Sequence, residues 1–169
     1  MATRASAQSS RAVTPAPAVA APAPAVDAVD TRYLETLIGY NARRAALSVI
    51  DLFMTRMSRY ELRIVDFSVL SLITHNPGIT SSQLCSALSV LPPNLVGIIN
   101  ALARRGLIKR QPHPRDGRAM GLHLTAAGRA LMVEAEQTAS DLEVEATDRL
   151  SVAERQTLIR LLRKVYLPP

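Results

Sequence analysis

From Asp30 onward, apolar residues recur at three-to-four spacing. Leu34, Leu37, Ile38, Ala45, Val49, Leu52 and Phe53 give one apolar face to a single helix of roughly 25 residues. A second helix is expected from about Ile64 to His75, with Phe67, Leu70, Ile73 and Thr74 inward and Asn76-Pro77-Gly78 as its stop. Thr80-Ser81-Ser82-Gln83 then forms a capping box, in which hydroxyl and amide satisfy each other's free backbone donors, and opens a short third helix to about Leu88. Pro92 and Pro93 suit the first turn of a fourth helix, where a missing N–H costs nothing. Leu95, Ile98, Ile99 and Leu102 supply its core face, and Gly106 closes it.

The period then changes. Leu107-Ile108-Lys109-Arg110 and Leu122-His123-Leu124 read as strands on either side of a polar hairpin, Pro112 to Ala119. Thr125 can cap a long fifth helix to about Asp148, and the capping box Ser151-Val152-Ala153-Glu154 opens a sixth that ends at Pro168. The third and fourth helices, joined by a turn of about three residues, make a helix-turn-helix, and the hairpin after them makes it a winged one. The expected fold class is mainly α: a winged helix-turn-helix with a two-stranded wing.

Length and composition leave room for one core of ordinary size: 169 residues, 48% of them apolar and 20% charged. Residues 1–29 are dominated by Ala, Pro, Ser and Val and carry no large aliphatic or aromatic residue after Met1, so a disordered extension is expected there. Its repeated prolines oppose both a secretory apolar core and the amphipathic helix of a transit peptide. The domain proper is expected over 30–169, with the winged helix-turn-helix at 62–125 between flanking helices at 30–60 and 126–169. Cys85 is the only cysteine, which excludes an internal disulfide and favours a reducing compartment. Lys109 and Lys164 are the only lysines, an Arg bias typical of GC-rich coding, so a bacterial, cytoplasmic setting is expected.

The net charge of +6 is unevenly placed. Between Arg104 and Arg118 stand Arg104, Arg105, Lys109, Arg110, Arg115 and Arg118 against a single acid, Asp116. A clustered positive charge without a long apolar run favours a nucleic-acid partner over a membrane. In a winged helix-turn-helix the N-terminal half of the fourth helix faces the major groove, and the wing reaches the phosphates or an adjacent minor groove. Arg115 and Arg118 are then the expected wing contacts, with Asp116 able to orient a guanidinium fork. Asn94 suits an adenine edge, Val96 a thymine methyl, and Gly97 permits close approach. Arg104, Thr80 and Ser81 complete the expected DNA-facing set.

Asp116-Gly117-Arg118, followed by Leu122-x-Leu124-Thr125-x-x-Gly128 and preceded by Leu102-x-Arg104-Arg105-Gly106-Leu107-Ile108, resembles the wing signature of MarR-type transcriptional regulators. The resemblance runs from about Tyr33 to Tyr166. It implies a homodimeric regulator of a pseudo-palindromic operator in double-stranded DNA, commonly a repressor released by a small aromatic or phenolic acid. It also implies an intertwined helical dimerisation region made by the helices at 30–60 and 126–169, through the chain ends Leu34, Leu37 and Ile38 with Leu158, Leu161, Leu162, Val165 and Leu167, and a DNA-binding lobe at 62–125. One departure stands out: the family commonly places Ser, Thr and Arg along the groove-facing side of the fourth helix, where this chain has Pro92-Pro93-Asn94-Leu95-Val96-Gly97. Specificity is therefore expected to lean on the wing and on DNA shape.

The resemblance further implies an effector pocket between the first, second and fifth helices, where Tyr40, Asn41, Arg43 and Arg44 meet Phe67, Ser68 and Ser71. Arg43 or Arg44 would pair an aromatic carboxylate. His75, His113 and His123 are too scattered for a metal site, and no catalytic constellation or cofactor motif is present. The competing readings are a winged-helix module for protein association and a DNA binder that answers to no ligand.

Overall fold

The helix expected from Asp30 is broken. The computed structural model of the chain describes residues 28–113 and 116–167, without the side chains of 113 and 116–119. It places a short α1 (Arg32–Glu35) before α2 (Ile38–Met57). Leu37 between them is extended, with φ −92° and ψ 127°. At the break the Asn41 side-chain amide donates to the Glu35 carbonyl at 2.7 Å, a group that a continuous helix would use internally, and shares the Leu37 carbonyl, at 2.9 Å, with the Asn41 backbone N–H, at 3.1 Å.

A 3₁₀ turn, Ser58–Tyr60, leads to α3 (Ile64–His75), and β1 (Ile79–Thr80) precedes α4 (Ser81–Leu88) and α5 (Pro92–Arg104). Then come β2 (Ile108–His113), β3 (Asp116–Leu124), α6 (Ala126–Ala146) and α7 (Val152–Tyr166). The sheet has three antiparallel strands in the order β1-β3-β2: β2 and β3 form the expected two-stranded wing, and β1 adds a third strand at the other edge of β3. Ile79 pairs with Leu122 and Thr80 with Gly121, so β1 anchors the wing to the start of α4. That pairing needs a glycine at 121, since a Cβ there would lie 2.9 Å from the Gly78 carbonyl oxygen.

The capping boxes form as expected: Thr80 with Gln83 at the start of α4, and Ser151 with Glu154 at the start of α7. One apolar cluster holds the lobe together and continues into the long helices. Leu84, Leu95, Ile99 and Leu102 pack with Val69, Leu70, Leu122, Phe53, Met57 and Met132. By contrast, α1 and α7 bury no residue. Leu158, Leu161, Leu162 and Val165 of α7 stay exposed beside an apolar groove of about 870 Å³ between α2, α6 and α7. No single described helix is long and apolar enough to cross a membrane.

Candidate nucleic-acid interface

The turn Ser89-Val90-Leu91 separates α4 from α5. Ser89 takes the left-handed conformation at φ 52°, ending α4, and the two prolines occupy the first two positions of α5. The four apolar residues spaced along α5 are buried, which leaves the other side of the helix free. Asn94, Gly97 and Arg104 are exposed there, Val96 is 51% exposed, and nothing lies within 4 Å of where a Gly97 Cβ would be. Among the described residues, the Asn94 side-chain amide has no hydrogen-bond partner and is available to a base edge.

The wing root is tied to this free side. Arg110 on β2 donates from Nη2 to Asn100 Oδ1 of α5 at 2.7 Å. Asn100 follows Gly97 by three residues and precedes Arg104 by four, so all three share one stripe of the helix. The exposed Lys109 and Arg110 stand in the sequence only as members of the positive cluster, and Asn100 carries no charge to mark it. The helical period from Gly97 to Arg104 and the alternation along β2 carried the signal.

Thr80 and Ser81 are half-buried at the start of α4. The Thr80 hydroxyl is engaged in its capping box, accepting from the Gln83 N–H at 3.3 Å and donating to Gln83 Oε1 at 3.0 Å. Asp116 and Arg118 belong to β3, while their side chains, their expected mutual bond and all of Arg115 lie outside the described residues. Arg105 is not free for an outside partner: both of its terminal nitrogens donate to backbone carbonyls, of Tyr60 and Glu61.

Asp66 of α3 is the buried charged residue of the lobe among the described residues. Its carboxylate receives Arg63 Nε at 2.8 Å, Arg63 Nη2 at 2.9 Å and the Arg63 N–H at 3.1 Å. Burial pushes its pKa up, but these hydrogen bonds and the charges of Arg63 and Arg105 outweigh burial and hold it below the usual aspartate value.

The residues expected to line an effector pocket do not converge on one cavity. Asn41 lines the groove between α2, α6 and α7, its amide already bound to the backbone. Ser68 lines a separate apolar hollow of about 510 Å³ with Met54, Ile64, Val65, Leu88 and Val90. Phe67 packs edge-on against Phe53 with ring centroids 5.5 Å apart, and Ser71 donates to Glu136 at 2.9 Å. Tyr40, Arg43 and Arg44 lie along α2 and line neither hollow. Residues chosen by helix number thus fall on different faces of α2 and α3. Among the described residues, no group of three or more His, Cys, Asp or Glu is placed to hold a metal.

Comparison with known proteins agrees with this geometry. The model described as the MarR family matches residues 62–120, from just after the 3₁₀ turn into the second strand of the wing. The multiple antibiotic resistance protein MarR of Escherichia coli K12 is 33% identical over 110 residues, covering 64% of this chain and 76% of that protein. A protein of Thauera aromatica assigned to transcriptional regulation of the hcr operon is 32% identical over 130 residues, covering 76% of this chain and 78% of that one. Among solved structures, the transcriptional repressor CouR bound to a 23-mer DNA duplex superposes with a TM-score of 0.77 at 32% identity, over 82% of this chain and 99% of that chain. CouR has also been solved with p-coumaroyl-CoA, at a TM-score of 0.74 and 31% identity, over 84% of this chain and 100% of that chain. With the helix-turn-helix, the wing and these relatives in agreement, the chain belongs to the MarR family of DNA-binding transcriptional regulators and is not an enzyme.

Proposed function

We propose that the protein is a homodimeric, cytoplasmic repressor that binds a pseudo-palindromic operator and is released by an aromatic acid or its thioester. The observation that carries the DNA reading is the Arg110–Asn100 bond, which sets the wing root against the free stripe of α5. In this reading α5 enters the major groove, with Asn94 as the polar fork and Val96 and Gly97 close to base edges. Arg115 and Arg118, oriented by Asp116, take the minor groove or phosphates, while Thr80, Ser81 and Arg104 set the register on the backbone.

Dimerisation is supported by the apolar surface left open on α1, α2 and α7, more than a monomer keeps exposed without a partner. The division of labour is then 30–60 with 126–169 for the dimer and 62–125 for DNA, across one shared core. For the effector, the hollow beside Ser68 is the better placed of the two. It lies between the end of α2, the start of α3 and the helix-turn-helix, so an occupant there contacts both frame and lobe. Its walls are apolar, and Ser68 and Arg63 supply polar groups at its edge. The ligand bound to CouR sets the first compounds to try: hydroxylated cinnamic acids and their coenzyme A thioesters.

The test is selection of bound duplexes from a random library, followed by challenge of the enriched duplex with those compounds. A palindrome with half-sites about one helical turn apart, released by one of them, is the expected result. Enrichment without release would leave a ligand-independent DNA binder; no DNA binding would point to protein association.

A further inference from the structure

Arg105 closes α5 and turns inward. Its Nη1 donates to the Glu61 carbonyl at 2.7 Å and its Nη2 to the Tyr60 carbonyl at 2.8 Å. These carbonyls lie in the linker between α2 and α3, made of the 3₁₀ turn Ser58–Tyr60 and then Glu61, which is left-handed at φ 53°. The Glu61 carboxylate stands 3.8 Å from Arg105 and is 84% exposed, so the ion pair adds little and the two carbonyl bonds are what hold.

Tyr60 carries the connection onward. Its ring is buried, and its hydroxyl lies 3.0 Å from the Thr138 hydroxyl on α6. Arg59 lies over the same ring, 4.7 Å from its centroid, and donates to Thr138 at 2.9 Å. Tyr60 thus holds the end of α5 through its carbonyl and α6 through its hydroxyl.

We propose that Arg105 is a positioning residue that fixes the angle of α5 against the frame of α2 and α6, and so the half-site spacing that a dimer accepts. This rests on the dimeric DNA-binding reading above. Two copies of α5 reach two half-sites, and the distance between them depends on how each lobe is hinged to its frame. The linker is a soft joint: a 3₁₀ turn and one left-handed residue. A planar guanidinium grips two successive carbonyls at once and removes the linker's freedom to swing, which a lysine ammonium, a point donor on a flexible stem, does not reproduce.

The experiment uses full-length protein, the selected palindrome, and versions with one base pair inserted or deleted between the half-sites. Each change moves a half-site by about 3.4 Å and turns it by roughly 35°. Wild-type protein is expected to bind the altered spacings at least about tenfold more weakly than the optimum. Arg105→Lys keeps the charge and loses the fork; it should bind random duplex with the wild-type salt slope while the spacing penalty shrinks to about threefold or less. Tyr60→Phe, which cuts the link to Thr138 and keeps the ring, should relax spacing in the same direction, and Glu61→Gln should leave it unchanged. The full penalty surviving in both Arg105→Lys and Tyr60→Phe overturns the proposal. So does an Arg105→Ala variant that weakens binding equally at every spacing and lowers the salt slope by about one, the mark of a phosphate contact. A wild-type protein that enriches no palindrome fails the dimeric reading itself, whereas a wild-type spacing penalty with unaltered variants fails only the role of Arg105.

Discussion

A Cβ on Gly128 would stand 2.0 Å from the carbonyl oxygen of Leu107. The first turn of α6 therefore lies directly on the chain entering β2, and the Thr125 N–H donates to the same Leu107 carbonyl at 3.0 Å. The Thr125 hydroxyl completes the joint by accepting the Gly128 N–H at 3.0 Å. This explains a glycine three residues after the threonine in the wing signature. Gly128→Ala must push backbone apart and is expected to cost about 3 kcal/mol, read from the shift of the urea midpoint. A loss below about 0.5 kcal/mol would show that α6 can lift away freely.

Asp66 predicts an acid limb in the stability curve. Its pKa in the folded protein lies below the ordinary aspartate value, so its contribution is full above that ordinary value and is lost as pH falls through the lower, folded one. Asp66→Asn should cost about 1–2 kcal/mol at neutral pH and flatten the fall in stability below about pH 4. Urea melts of both proteins from neutral pH down to pH 3 check this, and parallel curves would contradict it.

The exposed face of α7 predicts a dimer that one charge can split. Leu162 lines the groove against α2 and is 40% exposed in the single chain. Leu162→Glu should give a folded monomer by sedimentation and lose the palindrome by at least about tenfold, because burying an unpaired carboxylate at an apolar interface is strongly unfavourable. An unchanged dimer would move the interface elsewhere.

The winged helix-turn-helix was legible because its signals are local. The Thr80–Gln83 box, the prolines opening α5 and the spacing of Leu95, Ile98, Ile99 and Leu102 each act within one or two turns. What escaped depends on distant partners. Ile79–Thr80 is too short to announce itself as a strand and exists because Leu122 and Gly121 pair with it. The break before α2 hides inside an unbroken apolar period and is bridged by the Asn41 side chain. Arg105 counted as one more positive charge on a DNA face, and a charge count does not tell which way a guanidinium turns. The residues expected to line an effector pocket fall on different faces of α2 and α3, because naming helices does not fix their facing sides.

Base readout and backbone contact separate in two substitutions. Asn94→Ala should weaken the operator by about 1–3 kcal/mol and random duplex little, with relaxed choice at one base position. Arg118→Ala should weaken the operator at least tenfold with thermal stability intact. Equal losses of operator and random duplex would make Asn94 a positioning contact, and unchanged binding by Arg118→Ala would remove the wing from the mechanism.

The most direct test of sequence-specific regulation is a titration of the selected palindrome and a scrambled duplex at about 50 mM and 200 mM salt. The predicted result is that affinity falls steeply with salt for both, while the palindrome keeps an advantage of about a thousandfold or more. Equal affinity for the two duplexes at both salt concentrations would contradict it and leave a basic protein that holds DNA without reading it.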